Sequence, residues 1–102
     1  MAGSSPSRSA LTPPEIQAGL SGLKGWTYES DRLERTLKFG SFRESMSFLV
    51  AISYEAESLD HHPEINNVYD TVRIRLTTHD AGNKVSAMDL ELARRIDAVA
   101  WV

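Results

Sequence analysis

The chain has three histidines, and all of them fall in two short stretches, Glu57-Ser58-Leu59-Asp60-His61-His62-Pro63-Glu64 and Thr77-Thr78-His79-Asp80. Histidine is the side chain whose ordinary pKa, roughly 6.5, lets it give and take protons near neutral pH. A histidine beside a carboxylate is, taken singly, more often a satisfied structural residue than a catalyst. Three together, with the acids Glu57 and Asp60 beside them to favour and orient a charged ring, point to general acid–base chemistry in one cleft.

A zinc site is the main chemical rival, because three histidines can leave the open fourth position that hydrolytic zinc enzymes use. The spacing speaks against it. Adjacent histidines point in divergent directions and rarely reach one ion, and no i, i+4 pair stands on a helix. Metal-free catalysis is therefore expected over a metal site. A serine nucleophile would need a strained elbow of the Gly-x-Ser-x-Gly kind, which is missing, as is a glycine loop that could cradle phosphate.

The elements that must carry these residues follow from the local pattern. Pro63 cannot continue a helix and pushes His62 toward extended geometry, so His61 and His62 sit just past a helix end, with Glu57 about one turn before His61 and near the same face. That helix opens at Ser41, which with Glu44 makes a capping box after the strand-breaking Gly40. Phe42, Met46, Leu49, Ser53 and Ala56 recur at helical spacing toward the core, and the helix runs to about Leu59. Arg43, Ser47, Phe48 and Tyr54 are left on its outer face. Downstream, Glu64-Ile65-Asn66 is expected as a loop and Asn67-Val68-Tyr69 as a third strand. Asp70-Thr71 turns into a fourth strand from Val72 to Thr78, where Val72, Ile74 and Leu76 alternate with Arg73, Arg75, Thr77 and His79 as on a sheet with one buried face. His79 falls at that strand's end.

The flanking segments complete the frame. Thr12-Pro13-Pro14-Glu15 is a capping box with proline in the first turn, opening a helix with Ile16, Leu20 and Leu23 on one face and an end near Lys24. Trp26 to Glu29 and Arg32 to Phe39 form a hairpin about Ser30-Asp31, with Leu33, Leu37 and Phe39 on one parity. Asp80 to Asn83 form a loop. Ser86 with Asp89 then opens a last helix whose Met88, Leu92, Ile96 and Val99 face the core and which runs nearly to Val102. The order is α-β-β-α-β-β-α: an α+β fold with a four-stranded antiparallel sheet and three helices packed on one face. Residues 1–11 are expected as a flexible tail and residues 12–102 as one domain.

Composition narrows the class. At 102 residues the chain suits a single modest core. A net charge of -3 without blocks of like charge argues against direct nucleic-acid binding. No apolar run approaches the ~20 residues that span a bilayer, so no membrane partner is expected. Without cysteine there is no mark of an oxidising compartment. A cytoplasmic setting is expected, with a nuclear one left open.

Taken together, Glu57, His61-His62-Pro63, Tyr69, His79 and an acid at the start of the last helix, Asp89, resemble the pterin-4a-carbinolamine dehydratases, also called dimerisation cofactors of a homeodomain transcription factor. The likeness extends from the Trp26 strand and Phe39-Gly40-Ser41-Phe42 through Asn67-Val68-Tyr69, Thr77-Thr78-His79 and Val85-Ser86-x-x-Asp89. It implies dehydration of 4a-hydroxytetrahydrobiopterin, or a related pterin, to the quinonoid dihydropterin, without metal or cofactor. His61, His62 and His79 would be catalytic, with His61 and His79 nearest the departing hydroxyl and His62 holding or deprotonating the ring. Glu57, Asp60, Pro63, Thr78 and Asp89 would bind substrate or orient those rings. The resemblance also implies a homo-oligomer of two or four chains. Its protein partners would be a transcription factor, bound through the second helix, or the aromatic amino acid hydroxylase system. Ile65 and Asn66 stand where some relatives carry aromatics, and Asn83-Lys84 replaces a commoner Gly-Leu-Ser loop, so the rim of the site is expected to receive substrate differently.

Overall fold

The computed structural model describes residues 6–102. Its element order is α1 (Pro13–Leu20), β1 (Thr27–Glu29), β2 (Arg32–Lys38), α2 (Phe42–Leu59), β3 (Glu64–Val68), β4 (Thr71–Leu76), a short 3-10 turn (His79–Ala81) and α3 (Ala87–Val99). The four strands form one antiparallel sheet in the order β1-β2-β4-β3. The expected α+β architecture and its α-β-β-α-β-β-α order are therefore present.

Alternation decides which face of the sheet is covered. Leu33 and Leu37 of β2 and Val72, Ile74 and Leu76 of β4 are buried together with Phe48, Ile52, Met88, Leu92 and Ile96 from the helices. The intervening Arg32, Glu34, Arg73 and Arg75 stay on the open face. There Arg75 sits between Glu34 (2.7 Å) and Glu64 (3.4 Å), directly across the ladder from both. At the crossing of α1 and α3, a Cβ on Gly19 would stand 2.4 Å from a methyl of Leu90, so any larger residue there would oblige that side chain to move.

Six local expectations are corrected. Helix α1 ends at Leu20 rather than near Lys24, after which two turns lead to Gly25 at φ +83°. Glu64-Ile65-Asn66 is strand, not loop, and the β3–β4 turn is Tyr69-Asp70, with Tyr69 at positive φ. Strand β4 begins at Thr71 and ends at Leu76, leaving His79 in the short turn beyond it. The core face of α2 is Ser45, Phe48, Ile52, Ala56 and Leu59. Phe42 is half exposed, whereas Phe48 is fully buried. At Ser41 only half of the capping box forms: Ser41 accepts from Glu44 N–H, while Glu44 reaches back to Gly40 N–H and to the Trp101 indole. Finally, α3 stops at Val99, and the extended end folds Trp101 onto Phe39 and Phe48, at ring separations of 5.0 and 6.1 Å.

The first five residues of the expected tail lie outside the described residues. From Arg8 onward the chain is held: Ala10 bridges to Ser86, and Leu11 N–H donates to Val85 O at 2.9 Å.

Candidate active site

The site is built on two chain reversals. The first is the C-terminal end of α2. Asp60 adopts the left-handed conformation (φ 51°), its N–H donates to Glu57 O, and His61 N–H donates to Ala56 O. This pair of bonds is the motif that glycine usually closes, here closed by an aspartate. Its effect is directional. The chain reverses, and consecutive histidines face opposite surroundings: His61 is buried, at 6% exposure, and His62 is open to solvent. The second reversal follows β4. A bridge between Thr78 and Lys84, with Gly82 and Asn83 both at positive φ, closes a small loop that holds His79 at its start.

Behind His61 lies a closed polar network. Asp89, with no exposed surface, takes His61 Nε2 on one oxygen at 2.6 Å. On the other it takes the Thr78 hydroxyl at 2.7 Å and Ser86 N–H at 2.9 Å. Because Thr78 has one hydroxyl proton and spends it on Asp89, the 2.6 Å contact between Ser86 and Thr78 must have Ser86 as donor. Ser86 Oγ in turn accepts from Met88 N–H. The helix start thus supplies backbone donors and a favourable dipole to the carboxylate that orients His61.

In front of the imidazoles is a cleft of about 240 Å³ whose walls include His61, His62, His79, Asp60, Thr77, Thr78 and Arg8. Across His62, Thr77 and His79 it joins a wider one of about 430 Å³ that extends to Arg32, Arg75 and Asn83. All three histidines therefore line one depression, donated by a helix end and by the short turn that follows a distant strand.

The remaining sequence candidates are distributed around it. Glu57 accepts from His62 Nε2 at 2.9 Å and so pairs with His62 rather than sharing a face with His61, because the reversal at Asp60 turns His61 inward. That pair is largely exposed, so it orients the ring more than it stabilises the fold. Asp60 lines the cleft and shapes the turn. Thr78 is buried as a link to Asp89. Pro63 is half buried and leads into β3. Asn83, on the rim, lies 3.4 Å from His79 Nδ1. Among the described residues no group of three or more histidines and acids is arranged to hold a metal ion.

Residues 9–99 match the pterin 4 alpha carbinolamine dehydratase family. The chain belongs to that family. A protein of Opitutus terrae named for pterin-4-alpha-carbinolamine dehydratase is 60% identical over 92 residues, covering 90% of this chain and 95% of that one. The crystal structure of a transcriptional coactivator/pterin dehydratase from Brucella melitensis matches with a TM-score of 0.85 at 35% identity, covering 90% of this chain and 99% of that one. A pterin dehydratase-like protein identified as a RuBisCO assembly factor in the alpha-carboxysome matches with a TM-score of 0.61 at 26% identity, covering 74% of this chain and 87% of that one.

Two residues that this dehydratase-family chain brings to the site were not singled out from the sequence. Ser86 was legible only as a helix cap, although the same cap places it in the Asp89 network. Arg8 carried no signal at all, since a lone arginine in a serine-rich stretch has nothing local to mark its partners.

Proposed function

We propose that the protein dehydrates a 4a-hydroxytetrahydropterin, of the tetrahydrobiopterin type, to the quinonoid dihydropterin by histidine acid–base catalysis. In this reaction the C4a–oxygen bond breaks with its electron pair on oxygen, a general acid delivers a proton to that oxygen, and water leaves. A base takes the N5 proton, and the C4a–N5 double bond forms. Two proton-transfer groups on either side of one carbon are what the chemistry asks for.

The observation that carries this reading is the meeting of His61, His62 and His79 at one cleft, with the buried Asp89 fixing the first. Asp89 accepts at Nε2 of His61, which leaves Nδ1 as the nitrogen of that ring able to act on a substrate. His79 and His62 are exposed and accessible to a ligand in the cleft. His61 and His79 serve the hydroxyl, and His62, held by Glu57, serves the ring. The adjoining wider chamber receives the substituent that the pterin ring carries.

The test is a stopped-flow assay with chemically generated 4a-hydroxytetrahydropterin, following formation of the quinonoid product with and without enzyme. Acceleration that survives exhaustive chelation supports a metal-free histidine mechanism. Absence of acceleration by the folded protein rejects the reading.

A second reading, capture of a protein partner, draws on one feature. Helix α2 presents Phe42, Val50 and Tyr54 to solvent along one side, each at least half exposed. Two of the matching structures belong to proteins named for roles beyond catalysis, a transcriptional coactivator and a RuBisCO assembly factor. A His79 variant without turnover that still captures a partner would separate the two roles.

A further inference from the structure

The turn that splits His61 from His62 does not stand on its own bonds. Asp60 occupies a left-handed position that glycine fills without cost and other residues fill with strain. The two N–H donors of the reversal satisfy Ala56 O and Glu57 O, leaving the carbonyls of Leu59 and of Asp60 itself without partners from within the helix. Arg8 supplies them. Its Nη2 donates to Asp60 O at 2.8 Å and to Leu59 O at 3.3 Å. A guanidinium on the last carbonyls of a helix also meets the negative end of its dipole.

Arg8 is tied to the opposite wall as well. Two residues on, Ala10 bridges to Ser86, the donor that starts the Ser86–Thr78–Asp89 relay behind His61. The segment from Arg8 to Leu11 therefore spans from the turn that carries His61 and His62 to the cap that carries Asp89, and Arg8 itself lines the histidine cleft.

We propose that Arg8 is a positioning residue for the dehydration proposed above: it clamps the Asp60–His61–His62 reversal, so that both rings keep their aim toward His79 and the substrate. The proposal rests on that functional reading for its kinetic arm alone. Its structural arm, the setting of the two imidazoles, stands apart from any activity.

The experiment uses the full chain and its Arg8→Gln and Arg8→Lys variants, with kcat and KM measured separately, thermal melts, and nitrogen-edited NMR of the three imidazoles. Misplacement of a catalytic group by about an ångström costs up to ~10²-fold. Arg8→Gln is expected to lower kcat by roughly tenfold within that range and to leave KM unchanged. Arg8→Lys, which can still donate to both carbonyls, recovers most of the rate. The ring signals of His61 and His62 shift in Arg8→Gln, while that of His79 does not.

An unchanged kcat in Arg8→Gln overturns the clamp. A rise in KM alone does so too, because Arg8 would then touch substrate instead. Failure of Arg8→Lys to restore the rate while the melts stay unchanged counts against it equally. If the unaltered chain shows no dehydration, the functional reading falls, and the NMR still decides: unmoved His61 and His62 signals in Arg8→Gln overturn the positioning role.

Discussion

Replacing Asp89 by asparagine tests the site at its most buried point. The carboxylate accepts from His61 Nε2, the Thr78 hydroxyl and Ser86 N–H, at 2.6, 2.7 and 2.9 Å. Alanine would leave three buried donors without acceptors, at about 1–3 kcal/mol each, a sum comparable to the ~5–15 kcal/mol that holds a small domain folded. Asparagine keeps the shape. Its amide oxygen can continue to serve Thr78 and Ser86, which turns its NH₂ toward His61 Nε2, so that a donor faces a donor. The ring must then carry its proton on Nδ1, the nitrogen needed for substrate. Hydrogen bonds to charged groups contribute about 1.5–3 kcal/mol, and a tenfold change in rate corresponds to about 1.4 kcal/mol. The expected loss in kcat/KM is therefore on the order of 10 to 10²-fold. A stability cost of about 2 kcal/mol would lower Tm by roughly 8–16 °C in a domain of this size. Stopped-flow dehydration, a thermal melt and the tautomer of His61 by NMR measure the three consequences. Full turnover in a folded Asp89→Asn variant, or a lost rate with the His61 tautomer unaltered, would refute the reasoning.

Further outcomes follow from the same geometry. Alanine at His62 or at His79, both solvent-facing, should cut dehydration by roughly 10²–10⁴-fold with little change in melting temperature; a folded variant with normal turnover would exclude that ring from the chemistry. Asp60→Gly relieves a left-handed non-glycine, a gain of about 1 kcal/mol, and urea unfolding should detect it. If the carboxylate only shapes the turn, turnover is kept, whereas a large loss would assign it a part in the reaction. The hydrogen bond from the Arg94 guanidinium, opposed by burial and reinforced by Arg95, holds the Glu91 carboxyl below its ordinary value. That stabilisation is present above the ordinary carboxylate range and is lost as pH falls through the lowered folded value. Glu91→Gln should thus cost about 0.3–0.5 kcal/mol at neutral pH, and a deficit that persists in strong acid, where Glu91 is protonated in both states, would contradict the pairing.

Where local chemistry decided the structure, the sequence could be followed closely. Thr12 with Glu15 and Ser86 with Asp89 form the reciprocal caps their spacing announces. Alternation along β4 identifies its buried face, and Ser30-Asp31 takes the two positive-φ positions of a tight hairpin. The first half of edge strand β3, Glu64-Ile65-Asn66, escaped notice because an edge has little apolar face to alternate: of the strand's residues only Asn67 is even half buried. The phase of α2 escaped for the opposite reason. It is apolar on two sides, and periodicity cannot say which stripe, Phe42-Met46-Val50-Tyr54 or Phe48-Ile52-Ala56-Leu59, lies on the sheet. Likewise Trp101 reads as more helix until Phe39 and Phe48 offer its ring a place to pack.

The residue types of the site belong to the sequence: imidazoles able to exchange protons near neutrality, a proline that ends a helix beside two of them, and an acid at a helix start. Contacts between residues far apart in the chain were decided only when it folded. His61 meets Asp89 across 28 positions and Arg8 meets Asp60 across 52, pairings with no local periodicity to reveal them. A left-handed backbone at one residue sends His61 inward and His62 outward. Adjacent residues thereby acquire different surroundings, because side-chain direction depends on backbone geometry that their order alone does not specify.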